Sequence, residues 1–348
     1  MLGTNIGIDL GTTSTVIYVE GKGIVISEPS AIAYDSDTGD IIAVGSRAYE
    51  MYEKTPDCIT VVRPLEDGVV SDFTATQHML SWYLHKVAGY KFFKPNIVVC
   101  MPSGVTDLEK RTLLDIATLS GAGRACLIEE PLAAAVGAGI KMSNPSGTLV
   151  VDIGGGTTDI AVITMGSIAV SDSVKGAGNG FDKAIRNYLK RERNIIVGLK
   201  TAESIKKQIA CARFRQDEIT ILAKGKDYIT SLPTYFEISS AEVFLAMRES
   251  LENILDGIYS VLEKTSPDLV SDVMKNGIYI TGGGALILGI DEMIESRTGI
   301  RTIIADDPLN CVAKGTGMAL KDMNILQNNG YIFKTREQVK GYSEDSST

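Results

Sequence analysis

The sequence predicts an α/β fold built from two related halves that close around one cleft, and three observations support it. Residues 150–162 read as apolar strand, tight loop, apolar strand, with Asp152 before the loop, Gly154, Gly155 and Gly156 within it, and Thr157, Thr158 and Asp159 after it. Residues 6–18 repeat that order around Asp9, Gly11, Thr12, Thr13 and Ser14. A second segment also occurs twice: residues 127–132 carry Glu129, Glu130 and Pro131, and residues 304–309 carry Asp306, Asp307 and Pro308, each followed by small residues. Each copy follows a strand–helix unit, so the larger repeat is a hairpin and then alternating strands and helices, the pattern of an α/β fold.

The two hairpin turns carry the chemistry. Glycines without Cβ let backbone N–H groups converge on a small anion, and the threonine hydroxyls add donors, so such a turn suits phosphate oxygens. Asp152, at the end of a buried strand, is better explained as a ligand to a hydrated divalent cation carried by the phosphates than as a bare charge. A glycine-rich hairpin turn with no ligand is the other reading of one such loop. Two loops in two related halves imply a nucleotide between them.

Taken in order, residues 23–33 and 41–44 supply further strands, and residues 46–54 a helix, in a small insertion that runs to about Asp67. Apolar residues recur with helical spacing over residues 72–87, starting from an Asp cap. The next loop exposes Phe92 and Phe93 between Lys91 and Lys94. Either the rings wedge into a lipid headgroup boundary, with the lysines drawn to anionic lipid, or they tuck under the domain. Residues 97–101 read as a buried parallel strand, and Thr106 with Glu109 as the capping box of a helix reaching about Leu119. Residues 125–128 deliver Glu129 and Glu130 to the carboxyl end of a strand, where ligands sit in open α/β sheets. There Glu130 orients or deprotonates a water opposite a terminal phosphate; the bland alternative for both glutamates is a carboxylate favoured by a helix N-terminus.

Beyond the second turn, residues 176–193 read as a charged helix, and Thr201 as the cap of a helix in which Glu203 and Lys206 share a face. That pair grips a ribose and base, or forms a surface ion pair. Residues 219–223, 227–231 and 234–238 read as strands of a second insertion, and Ser239 caps a long helix to about Lys264. In residues 277–286, the glycines Gly282, Gly283 and Gly284 between a strand and a helix let a flat ring or a phosphate lie against bare backbone.

Composition narrows the function classes. With 348 residues, 44% of them hydrophobic, the chain is long enough for about two domains. A net charge of -9 argues against nucleic-acid binding, which needs a broad basic surface. The five cysteines form no CxxC pair and read as thiols of a reducing cytoplasm, without a disulfide frame or a zinc site. His78 and His85, the only histidines, stand seven apart on one helix and offer little to a metal site or a catalytic triad. The short lead into the first strand predicts no signal peptide, and no apolar run of about 18 residues predicts a membrane span.

In this order, Asp9-Leu10-Gly11-Thr12-Thr13, Glu129-Glu130-Pro131, Asp152 through Asp159 and Thr281-Gly282-Gly283-Gly284-Ala285 resemble the ATPase superfamily of actin, sugar kinases and heat-shock chaperones. Within it, residues 23–30, 63–73, 92–95, 101–106 and 201–206 resemble the bacterial actins of the MreB family. The resemblance implies an actin-like ATPase fold of two ribonuclease H-like halves with a nucleotide cleft. Residues 1–30, 68–143 and 318–340 would form the first core half and 31–67 its insertion; 144–178 and 240–317 would form the second and 179–239 its insertion, with 341–348 a disordered tail. It implies an ATPase that polymerises into paired protofilaments on the inner face of the cytoplasmic membrane and guides cell-wall elongation proteins and rod shape. By resemblance, the phosphates fall to Gly11, Thr12, Thr13, Ser14, Gly154, Gly155, Gly156 and Thr157. Mg²⁺ falls near Asp9 and Asp152, largely through water, and the attacking water to Glu130 and Thr157. The ribose and adenine fall to Glu203, Ser204, Ile205, Lys206, Gly282, Gly283, Gly284, Ala285 and Leu286, and lipid contact to Phe92 and Phe93. Two departures from the family pattern, Thr13-Ser14 in the first turn and Ala177-Gly178-Asn179 before Phe181, bear on the hydrolysis rate. A chaperone-type ATPase or a sugar kinase would use the same pocket, but no peptide-binding module or carbohydrate motif is legible.

Overall fold

A computed structural model describes residues 4–88, 94–141, 145–319 and 333–335. Two sheets share one connectivity. In the first, the spatial order is Gly23–Pro29, Ser14–Val19, Asn5–Leu10, Asn96–Met101, Arg124–Glu129, with Phe333–Thr335 added antiparallel at the edge. The second runs Ser167–Lys175, Thr157–Thr164, Thr148–Ile153, Ile278–Thr281, Thr302–Ile304. In both, the first three strands of the chain form an antiparallel meander and the last two lie parallel to the first strand. Every residue of Asn96–Met101 and of Thr148–Ile153 is buried, which is why these strands read as unbroken apolar runs.

Helices Phe73–Ala88 and Asp107–Leu119 cover one face of the first sheet, joining Met79, Leu80 and Ile116 to Ile8 and Ile97 in one core. Helices Ala177–Arg193, Leu199–Ile209 and Ser240–Lys264 do the same for the second, around Val151, Phe181, Ile205, Leu251 and Ile280. Between the sheets lie the two short small-residue helices of the repeat, Glu130–Gly137 and Cys311–Ala319. They touch backbone to backbone: a Cβ on Gly137 would stand 1.9 Å from the Cys311 carbonyl oxygen, and one on Gly315 would stand 1.8 Å from that of Ala133. Each also leans on the other half's sheet. Ala133–Ala135 share a core with Val150, Ala161 and Ile163, while Gly317 meets the Tyr18 ring. The halves are thus joined through a crossed helix pair at the floor of the cleft.

The expected caps at Asp72, Thr106 and Ser239 are present, the last two as full capping boxes with Glu109 and Glu242. Several expected elements differ. Residues 23–33 are not one strand, because the chain leaves the first sheet after Pro29 and Ile32–Asp35 enters a separate sheet with Ile41–Val44 and Ile59–Val62. The helix expected over 46–54 ends at Met51. The helix expected from Thr201 starts at Leu199 on a Gly198 cap, so Thr201 is internal. Residues 219–231 hold one strand, Thr220–Asp227, and not two; Lys224 and Lys226 fit it because they fall on its exposed face, and Asp227 ends it by accepting the amides of Ile229 and Thr230. Gly283–Leu286 is a single 3₁₀ turn. Phe92, Phe93 and the tail 341–348 lie outside the described residues.

Candidate functional site

The two hairpin turns have the same geometry. The Gly11 amide donates to the Ser14 carbonyl at 3.1 Å, and the Gly154 amide to the Thr157 carbonyl at 2.9 Å. The turns face each other across the cleft: a Cβ on Gly155 would stand 1.9 Å from Thr13 Oγ1, and one on Gly156 would stand 2.5 Å from Thr12 Oγ1. Behind the second turn, the amides of Gly176, Gly178 and Asn179 donate to the carbonyls of Gly156, Gly154 and Gly155 at 2.7, 3.1 and 2.7 Å. Behind the first, Ser30 Oγ donates to the Gly11 carbonyl at 2.6 Å and Arg63 to that of Thr12 at 3.2 Å. These bonds consume carbonyl oxygens, so the polar capacity left to both turns is that of donors, which suits an anion. The segment Asp67-Gly68 bridges the turns, its Gly68 amide donating to Thr12 Oγ1 at 2.8 Å while Gly68 rests on Thr157.

Four carboxyls gather beneath these turns. Asp152 pairs with Asp159 across the second hairpin, and Asp9 with Val16 across the first, so the two halves differ at this register position. Glu130, Asp152 and Asp159 are buried. The Cys100 thiol donates to Asp9 Oδ1 at 3.3 Å and sits 4.0 Å from Glu130 Oε1; Thr281 Oγ1 donates to Asp152 Oδ1 at 2.6 Å, and the Ser103 amide to Asp159 Oδ1 at 2.7 Å. Burial pushes Asp9 and Asp159 up to about 6 and Asp152 up to about 7. Glu130 is raised well above the usual range by burial and by the neighbouring charges of Asp159, Asp9 and Asp152. Among the described residues no lysine or arginine pairs with any of the four. A set of hard oxygen donors with no cationic partner, beside two donor turns, fits a hydrated divalent cation carried by phosphates, with Asp9 and Asp152 as its neighbours.

At the mouth of the cleft lies a cavity of about 410 Å³ whose lining includes Thr12, Thr13, Arg63, Asn179, Asp182 and Glu203. Glu203 and Lys206 do not pair with each other. Glu203 bonds Lys207 Nζ at 2.7 Å and accepts from Tyr49 Oη at 2.9 Å, while Lys206 Nζ pairs with Asp182 at 2.8 Å and donates to the Gly178 carbonyl at 2.8 Å. Lys206 is thereby tied to the helix that backs the second turn. Ser204 is exposed on Leu199–Ile209, and Ile205 is a core residue. Two of the three later glycines are bare for a protein contact: added Cβ atoms would stand 2.4 Å from the Ile153 carbonyl at Gly282 and 2.1 Å from Ile153 Cγ2 at Gly284. Gly283 and Leu286 are exposed and Ala285 is buried.

The family profile described as MreB/Mbl protein matches residues 3–328. The chain belongs to the MreB/Mbl family. It is 44% identical over 330 residues to the cell shape-determining protein Mbl of Bacillus subtilis, covering 94% of this chain and 98% of that protein. Identity to the cell shape-determining protein MreB of Escherichia coli K12 is 41% over 332 residues, covering 93% and 95% of the two chains. The crystal structure of MreB5 of Spiroplasma citri bound to AMPPNP superposes with a TM-score of 0.89 at 41% identity, covering 95% of this chain and 99% of that one. The MamK double helical filament, at 21% identity and a TM-score of 0.79, shares the fold. The expected actin-like fold of two related halves is therefore borne out.

Sequence reading left three participants without a role. Asp159 was legible as an acid opposite Asp152 in the hairpin register. Cys100 and Tyr49 were not, because a cysteine in an apolar strand and a tyrosine in an insertion carry no local sign of what they will face.

Proposed function

We propose that this member of the MreB/Mbl family binds and slowly hydrolyses ATP between its two halves and polymerises into filaments on the inner face of the cytoplasmic membrane. There it would organise cell-wall elongation and rod shape. The observation that carries this reading is the pairing of two donor turns with four carboxyls, three of them buried, that have no cation of their own. The nucleotide in the Spiroplasma MreB5 relative and the names of the Bacillus and Escherichia relatives support it.

On this reading Thr12, Thr13, Ser14 and residues 154–157 hold the phosphates by amides and hydroxyls, and Asp9 and Asp152 hold Mg²⁺ largely through water. Bound Mg²⁺ and triphosphate would supply the positive charge the carboxyls lack and the scissile bond. Glu130 is the group that orients a water or takes its proton, and the charge of Asp159 beside it strengthens its hold on that proton. Thr157, fixed between Gly68 and the second turn, is its partner in positioning. Glu203, Lys206 and residues 282–286 border the ribose and base. No helix among the described residues is long and apolar enough to cross a membrane, so attachment is assigned to the Phe92 and Phe93 loop.

Sedimentation tests the reading. With ATP and Mg²⁺ the protein is expected to pellet above a critical concentration and stay in the supernatant when Mg²⁺ is chelated. A chain that stays in the supernatant under all conditions, or that phosphorylates a sugar, would point to one of the superfamily's monomeric enzymes instead.

A further inference from the structure

We propose that Asp9, Cys100 and Glu130 form an inhibitory site for a thiophilic divalent cation of the zinc class, distinct in donor chemistry from the all-oxygen magnesium site. One carboxylate oxygen or sulfur from each of these three residues lies within 4.8 Å of the others. The geometry is close to what such an ion needs. With metal–sulfur and metal–oxygen bonds of about 2.3 and 2.1 Å at tetrahedral angles, neighbouring S···O distances come to about 3.6 Å. The sulfur here stands 3.3 Å from Asp9 Oδ1 and 4.0 Å from Glu130 Oε1, on either side of that value. The three come from the carboxyl ends of adjacent strands, Asn5–Leu10, Asn96–Met101 and Arg124–Glu129, or the residue after, so the backbone already converges on one point.

An independent sign that this place lacks a ligand is Asp159 Oδ2, a carboxylate oxygen of a fully buried residue next to Glu130 that has no hydrogen-bond partner. Water would complete a fourth position. Magnesium cannot take the same seat well, because it prefers six oxygens and keeps its waters, whereas a thiolate selects zinc or cadmium. On binding, the Cys100 S–H bond breaks, its proton passes to solvent and the sulfur lone pair forms the metal bond; nothing is oxidised. The ion would hold Glu130 away from a water and compete with the magnesium neighbour Asp9.

The site itself can be read without nucleotide, so its failure is separable from failure of the ATPase reading. The nucleotide-free full chain carrying Cys58→Ser, which removes the one exposed cysteine among the five, is titrated with cadmium chloride while the ultraviolet cadmium–thiolate band is followed. One equivalent is expected to raise the band. Cys100→Ser should abolish it, and Cys126→Ser, Cys211→Ser and Cys311→Ser should leave it. Glu130→Gln, which keeps the thiol, should retain the band but weaken binding by at least about tenfold, since loss of even an outer-shell partner costs that much. A band that survives Cys100→Ser, no band in the parent chain, or unchanged affinity in Glu130→Gln would each overturn the site.

Discussion

The buried carboxyls make the ligand-free protein sensitive to alkali, and Asp152 shows by how much. Only 4% of its surface is exposed, and burial raises it from 3.8 to about 7. A carboxyl whose folded value is raised binds more protons in the folded chain than in the unfolded one, so stability falls as pH rises. The contribution is fully present below about 3.8 and is lost as pH climbs through about 7. Between pH 5 and 8 this one group removes about 3 kcal/mol, at about 1.4 kcal/mol per tenfold in proton activity. A midpoint shift of roughly 5 °C follows for a chain of this size. The carboxyls that lie below their usual values, among them Glu28, Glu109, Asp172 and Asp307, titrate on the acid side of this window and do not offset it. Scanning fluorimetry of nucleotide-free protein from pH 5 to 8 is therefore expected to show a falling midpoint. Asp152→Asn, which cannot ionise, should flatten it by about that amount, and saturating Mg²⁺ with ATP should largely abolish it by supplying the counter-charge. A midpoint that is level or rises in the parent chain, or the same slope in Asp152→Asn, would refute the claim that an uncompensated acid cluster sits under the turns.

Three further outcomes are expected. Glu130→Ala should keep nucleotide but slow phosphate release by about 10²-fold or more, the usual size of a lost acid–base group; unchanged single-turnover kinetics would remove Glu130 from the chemistry. Gly315→Ala places a methyl 1.8 Å from the Ala133 carbonyl oxygen, on a facing backbone that has no easy way to move, and should lower stability by about 1–3 kcal/mol in urea. Gly180→Ala, whose Cβ meets nothing nearer than Ser250 Oγ at 4.0 Å, should be neutral or mildly stabilising, so equal losses in both would discount the crossed helices. Phe92→Ser combined with Phe93→Ser should abolish co-sedimentation with anionic liposomes while leaving the circular dichroism unchanged; persistent binding would move the membrane contact elsewhere.

The strengths and failures of sequence reading have separate causes here. Repeated turns, capping boxes and apolar runs are local signals. The hairpin of each half, the caps at Asp72, Thr106 and Ser239, and the acids at Asp9 and Asp152 were therefore legible, whereas the third strand of the second sheet, Ser167–Lys175, was not. Residues 219–231 were misread because a strand with one solvated face tolerates Lys224 and Lys226, which look like a break when only composition is weighed. Glu203 and Lys206 looked like natural partners at i,i+3, yet each is drawn off by a residue brought in from elsewhere, Lys207 and Tyr49 for one and Asp182 for the other.

By itself the sequence determined that the chain is duplicated and that each half offers an acidic turn rich in donors, because strand period and glycine placement are written residue by residue. Only the tertiary structure decided which copy does what. The matching acids Glu130 and Asp307 have equal standing in the repeat. Asp307 is left with Lys314 Nζ at 2.6 Å and Asn310 at 3.0 Å, whereas Glu130 is buried against Asp159 and Cys100 with no cation. That difference arises from packing across the cleft, where Val16 in one hairpin stands in the place of Asp159 in the other. A charge's surroundings are set by chains folded over it from far away in sequence, and no local pattern encodes them.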